Sequence, residues 1–325
     1  MILAFLLVIL AGLFMGWNIG ANDAANCVGV DIGSGKMTVK QGIIITCVFS
    51  LLGALLLGSH VIKTVGKGIV PLDKLEHNVA VYITLAAAFG AGIWVMLATY
   101  FKLPVSTSHA IVGAVGGAGL ACNTLIIWKK LLDIFICWVI TPFGSALLAF
   151  LMYYPVLFLF SLLVPKKYED KVVAFLIFVT SAYLAFAWGA NDVANATGIM
   201  VGSKMVTKNI AVLIGASAII IGIVTWGRKV IETVGFNITH LTPLMAIVAE
   251  VASALNVTIY TLLGIPVSTS HSIVGAVFGI GLVKGIKSID IGIIRGIVFA
   301  WVCTPFTAGA VAFLLMKGFI LLKLI

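Results

Sequence analysis

Two polar clusters occur twice in this chain. Gly20-Ala21-Asn22-Asp23-Ala24-Ala25-Asn26 returns as Gly189-Ala190-Asn191-Asp192-Val193-Ala194-Asn195. Pro104-Val105-Ser106-Thr107-Ser108-His109 returns as Pro266-Val267-Ser268-Thr269-Ser270-His271. In the first, Asp23 and Asp192 offer hard anionic oxygens for a desolvated cation such as sodium. Asn22, Asn26, Asn191 and Asn195 add amide donors and acceptors beside them. In the second, proline suits the first turn of a helix, where backbone N–H groups are unpaired and the dipole end is positive. Ser106, Thr107 and Ser108, with Ser268, Thr269 and Ser270, then add hydroxyl donors. That makes a cradle for a tetrahedral anion, phosphate or sulfate, without a buried Lys or Arg.

Three further residues could carry charge. His109 and His271 could relay a proton or hold a hairpin by hydrogen bonding. Their spacing to other His or Cys does not match a zinc site. Glu250 is a lone acid in an apolar stretch, able to bind a cation or accept a proton, with Asn256 as a candidate partner. Its counterpart in the first copy is Ala88, so the site is asymmetric there.

The elements that must position these groups are membrane helices. The chain has 325 residues, 62% hydrophobic and 10% charged, with mean hydropathy +1.22. That composition belongs to an integral membrane protein. The apolar start, Met1 to Met15, has no basic lead and reads as a retained first helix, not a cleaved signal. Hydrophobic segments run Ile2–Trp17, Gly42–Gly58, Val79–Tyr100, Leu125–Val164, Val172–Trp188, Ile210–Trp226, Leu244–Leu263 and Ile289–Leu322. Shorter segments are expected to open at Gly20, Pro104, Gly189 and Pro266. Pro142, Pro155 and Pro305 are expected to kink or restart helices. The net charge of +9 fits Lys and Arg in loops facing anionic lipid. No basic, aromatic-interleaved run suggests nucleic acid. The five scattered Cys suggest neither a metal site nor disulfides.

The duplication extends beyond the motifs. Val61–Gly66 parallels Val230–Gly235, and Trp138-Val139-Ile140-Thr141-Pro142 parallels Trp301-Val302-Cys303-Thr304-Pro305. Two repeats are expected, 1–164 and 172–325, joined by the polar stretch 165–171. The expected fold is an all-α membrane protein of two inverted-topology repeats with broken or re-entrant helices, in roughly 10–12 membrane segments.

These motifs resemble the signature of the inorganic phosphate transporter (PiT) family. Gly189-Ala190-Asn191-Asp192-Val193-Ala194-Asn195-Ala196 matches the family element fully, and the first copy departs from it at Ala24 and Cys27. The resemblance covers essentially the whole chain. It implies two inverted repeats, phosphate uptake coupled to sodium or protons, essential Asp23 and Asp192, and a homodimer. Animal members carry a Glu in the helix after each signature; here those positions are Ser50 and Ile219.

Together the residues and the resemblance predict a multi-pass symporter of the cell membrane, not an enzyme, importing inorganic phosphate with sodium. No cofactor is expected beyond the co-transported ion. Phosphate is expected on Asn22, Asn26, Ser106, Thr107, Ser108, Asn191, Asn195, Ser268, Thr269 and Ser270. Cations are expected on Asp23, Asp192 and Glu250. Proton-coupled phosphate transport and sulfate transport are the alternatives within transport. An anion channel would need a basic pore, and none is repeated inside the spans. A membrane esterase would need a nucleophile facing its base, yet Ser108 and His109 are adjacent on a helix and point apart.

Overall fold

The computed structural model describes residues 2–101, 103, 105–228, 231, 241–285 and 291–324. Pro104, the Val230 and Glu232–Gly235 part of the second repeat's match, and Ile289 lie outside the described residues. Everything regular within them is helical. The first repeat contains α1 (Ile2–Gly33), α2 (Val39–Leu57), α3 (Ser59–Lys63), α4 (His77–Tyr100), α5 (Thr107–Ala121) and α6 (Trp128–Leu163). The second contains α7 (Glu169–Gly202), α8 (Lys208–Gly222), α9 (Pro243–Leu262), α10 (Thr269–Lys284) and α11 (Ile291–Leu321). A short 3-10 turn, Lys166–Tyr168, lies between α6 and α7. Eight of these helices are long and apolar enough to cross a bilayer. The shorter α5 and α10 sit among them.

The repeats are inverted. The equivalent helices α1 and α7 run antiparallel: Gly12 lies beside Met200, Gly16 beside Ala196, and the Ser181 hydroxyl donates to Asp31. Crossing parity explains this. α4 runs parallel to α1, with Gly92 against Phe14 and Thr99 bonded to Asn22. α5 then returns to the side α4 came from, because Gly119 near its end lies on Val70. Just beyond it, the Ile127 N–H donates to the Ile69 carbonyl at 2.9 Å. The α4–α5 pair is therefore a hairpin that dips and returns. α1, α2 and α6 supply three crossings, an odd number, so the second copy starts on the opposite face.

Two expectations need correction. The signature does not open a short segment; Gly20–Asn26 and Gly189–Asn195 lie inside the continuous helices α1 and α7. Their polar side chains bond to other helices, so they do not compete for their own backbone. Gly20 and Gly189 serve helix crossing instead. A Cβ at Gly20 would stand 2.0 Å from the Ile219 carbonyl oxygen, and one at Gly189 would stand 2.1 Å from that of Ser50. Ser50 and Ile219 are thus the crossing points that face the signature glycines. Second, Pro142, Pro155 and Pro305 do not restart helices; α6 and α11 run through them.

The same kind of crossing recurs at Gly53 on Phe186, Gly222 on Trp17, Gly113 on Pro305, Gly275 on Pro142, Gly117 on Gly309 and Gly279 on Ala146. In each, bare glycine backbone meets a carbonyl of the other repeat.

Candidate functional site

α5 and α10 begin at the centre of the molecule, and their caps follow from sequence. Ser106 and Ser268 are extended residues whose hydroxyls accept the N–H of His109 and His271, each at 3.2 Å. Asn22 and Asn191 hold the turns that lead in. The Asn22 amide donates to Thr99 Oγ1 (2.8 Å) and the Leu103 carbonyl (3.3 Å), and its oxygen accepts from the Val105 N–H (3.4 Å). Asn191 repeats this with Thr261 (2.9 Å), Ile265 (3.2 Å) and Val267 (3.2 Å). Four residues expected on phosphate, Ser106, Ser268, Asn22 and Asn191, thus have side chains committed to the chain that forms the site.

The remaining expected residues come together. Thr107 donates to Asp23 Oδ2 at 2.7 Å, and Thr269 donates to Asp192 Oδ2 at 3.1 Å. Ser108 reaches across the repeats to Asp192 Oδ1 (3.1 Å) and the Val267 carbonyl (2.9 Å). Asn195 donates to Asp192 Oδ1 and Ser108 Oγ, both at 2.9 Å. Asn26 donates to Ser270 Oγ at 2.7 Å and more weakly to Asp23 Oδ1 at 3.4 Å. Asp23, Asp192, Asn195 and the four hydroxyl residues are at most 2% exposed, and Asn26 is 8% exposed. The site is closed from both sides.

Its chemistry is that of two opposite ligands held together. Carboxylate oxygens of Asp23 and Asp192, with the unpartnered buried Asn195 Oδ1, form an acceptor-rich centre suited to a hard cation. The first turns of α5 and α10, with their hydroxyls, bring positive dipole ends to the same place, suited to an anion.

His109 and His271 lie behind this centre. Proline at i has no N–H for the carbonyl at i−4, so Pro142 and Pro305 release the carbonyls of Trp138 and Trp301. His271 Nδ1 meets the Trp138 carbonyl at 3.2 Å, and His109 Nδ1 meets that of Trp301 at 3.2 Å. A carbonyl only accepts, so each Nδ1 carries the proton. His109 also stacks on Trp138 (3.7 Å between centroids), His271 packs on Trp301 (3.6 Å), and the two imidazoles touch edge to face at 4.4 Å.

Glu250 is not in the central cluster. It accepts from Thr180 Oγ1 at 2.6 Å and stands within hydrogen-bonding reach of Asp31, a residue not singled out from sequence. Asn256 is not its partner; it bonds to the Thr141 carbonyl and Ser272 Oγ.

Comparison with known proteins gives the family of the chain. The phosphate transporter family model matches the chain twice, over residues 19–169 and 162–312. The chain belongs to the phosphate transporter family. A protein of Pyrococcus furiosus, named provisionally as a phosphate permease, is 32% identical over 98% of this chain and 96% of its own length. Inorganic phosphate transporter 2-1, chloroplastic, of Arabidopsis thaliana is 28% identical over 91% of this chain and 69% of its own. A solved sodium-dependent phosphate transporter is 29% identical, with TM-score 0.87 over 99% of both chains. This family member is accordingly a multi-pass integral membrane phosphate transporter, not an enzyme.

Proposed function

We propose that this transporter imports inorganic phosphate by symport with sodium. Phosphate is held at the N-termini of α5 and α10 by Thr107, Ser108, Thr269 and Ser270, with Asn26 and Asn195. Sodium is held on Asp23 and Asp192 beside it. The observation that carries this reading is the direct bonding of anion-cradle hydroxyls to both carboxylates, at 2.7 Å for Thr107–Asp23 and 3.1 Å for Ser108–Asp192. A cation on the aspartates removes the repulsion they would exert on phosphate, and phosphate does the same for the cation. Each ligand therefore raises affinity for the other, which is thermodynamic coupling. The solved sodium-dependent relative supports sodium as the ion. The repeats divide within Pro165–Lys171 in this reading, and the repeat-related hairpins α4–α5 and α9–α10 exchange access between the two faces.

The test is radiolabelled phosphate uptake into proteoliposomes under an inward sodium gradient, a proton gradient alone, and excess sulfate. Sodium-dependent uptake that ignores sulfate is expected. Asp23→Asn and Asp192→Asn are each expected to remove the sodium dependence, with uptake falling at least about tenfold, the size of one lost charged contact of about 1.4 kcal/mol. Full uptake without sodium, or competition by sulfate, would overturn the proposal.

A further inference from the structure

Trp188 stands beside the central site but outside the repeated motifs. It is completely buried on α7, four residues before Asp192. Residues at i and i+4 share a helix face, and helical side chains lean toward the N-terminus, so Asp192 leans over Trp188. The indole N–H lies within reach of the Asp192 carboxylate without closing a hydrogen bond to it. A buried donor with no acceptor is rare and costly in a folded protein. Packing alone does not account for it, because an apolar ring would fill the space with no donor to satisfy.

The other partners of Asp192 explain why this donor is left over. Asp192 Oδ1 accepts from Ser108 at 3.1 Å and from Asn195 at 2.9 Å, and Oδ2 accepts from Thr269 at 3.1 Å. All three donors belong to the group that holds phosphate in the reading above. When they turn to phosphate, Asp192 loses them together, and the indole N–H is the donor that remains beside it. Asp23 has no such reserve. Its donors are Thr107 at 2.7 Å and, weakly, Asn26 at 3.4 Å. At the 169-residue offset of the signature, the counterpart of Trp188 is Ile19, which is equally buried and apolar.

We propose that Trp188 is a positioning residue of the transport site, a reserve donor whose N–H closes on Asp192 when phosphate draws Ser108, Asn195 and Thr269 away. The proposal rests on the phosphate placement given above. It makes the two halves unequal once loaded. Asp23 is then steadied by its cation alone, while Asp192 keeps a protein donor that fixes its orientation.

Heteronuclear NMR of the indole N–H groups in isotope-labelled, full-length protein tests this. Trp188→Phe assigns the Trp188 signal by deletion. With saturating sodium, phosphate is expected to move that proton downfield, as a new hydrogen bond to a carboxylate does. The shift should exceed those of Trp17 and Trp94, whose N–H groups already bond to Thr225 and Thr304. Thr269→Val takes one donor from Asp192 and nearly keeps the side-chain shape. It is expected to move the same signal part of the way with no phosphate added, which serves if Trp188→Phe does not fold. In binding assays Trp188→Phe is expected to lower phosphate affinity about tenfold at saturating sodium, the equivalent of about 1.4 kcal/mol. A Trp188 signal that stays in place while radiolabelled phosphate is bound to the same sample would overturn the proposal and leave the phosphate reading standing. Absence of bound phosphate would overturn that reading, and this proposal with it.

Discussion

Replacing His271 by Phe isolates the link between proline and histidine. Phe keeps an aromatic ring against Trp301, where the rings are 3.6 Å apart, and removes only the Nδ1 donor. The Trp138 carbonyl then has no partner, because Pro142 supplies no N–H four residues on. A buried carbonyl left unsatisfied costs about 1–3 kcal/mol. Adding Pro142→Ala returns an N–H at the helical position facing that carbonyl, so the double variant should recover most of the loss. The measurement is reversible unfolding in mixed micelles for wild type, both single variants and the double variant. A coupling of about 1–2 kcal/mol between the two positions is expected. Pro142→Ala alone should change little, since His271 already occupies the carbonyl. The mirror cycle, His109→Phe with Pro305→Ala, should behave alike. Additivity within about 0.5 kcal/mol would refute the reasoning, because it would mean that the imidazole does not stand in for the missing backbone donor.

Two other perturbations follow from the fold. Gly20→Ala places a Cβ 2.0 Å from the Ile219 oxygen where ordinary contact begins at 3.4 Å, so α1 and α8 must separate by more than 1 Å. A loss of about 1–3 kcal/mol in stability is expected from such overpacking, together with a large fall in phosphate uptake, and Gly189→Ala should match it. Gly318→Ala on α11 meets nothing within 4 Å and should be neutral or stabilising by up to about 1 kcal/mol, as helix propensity dictates. Outside the spans, the Lys67 ammonium beside Asp73 holds its carboxyl below the usual value of 3.8. A depressed carboxyl stabilises the fold above that ordinary value and loses the contribution as pH falls through the lower, folded value. The melting temperature of wild type relative to Asp73→Asn should therefore be constant above about pH 4 and converge with it only in stronger acid.

Much of the site was legible because its chemistry is written twice. The paired Asp23 and Asp192, and the hydroxyl runs after Pro104 and Pro266, meet in space as their duplication suggests. The division of labour among them was not legible. Ser106 and Asn22 look identical in kind to Ser108 and Asn26. Only the turn geometry shows that the former tie down the entry to α5 while the latter face the other repeat. Asp31 escaped notice because its partner lies 219 residues away and its repeat counterpart, Met200, is apolar, so repetition gave no signal. The glycine of the signature was misjudged for a physical reason: in a membrane helix, bare backbone serves close crossing as readily as a break. The recurrence of Trp-x-x-Thr-Pro was visible, but the histidines that answer its prolines come from the opposite half.

The glycine-to-carbonyl crossings also bear on how the molecule is made. Every one of the eight joins a helix from one half to a helix from the other. While the first half is being inserted, α2 has no α7 to receive Gly53, and α5 has no α11 to receive Gly113 and Gly117. Helices of the first half that depend on these crossings, α2 above all, complete their packing only when their counterparts emerge. Assembly is then a clasping of two chains of helices that closes late. Each half is thus packed through the other, so no boundary drawn along the sequence separates two independently packed bodies.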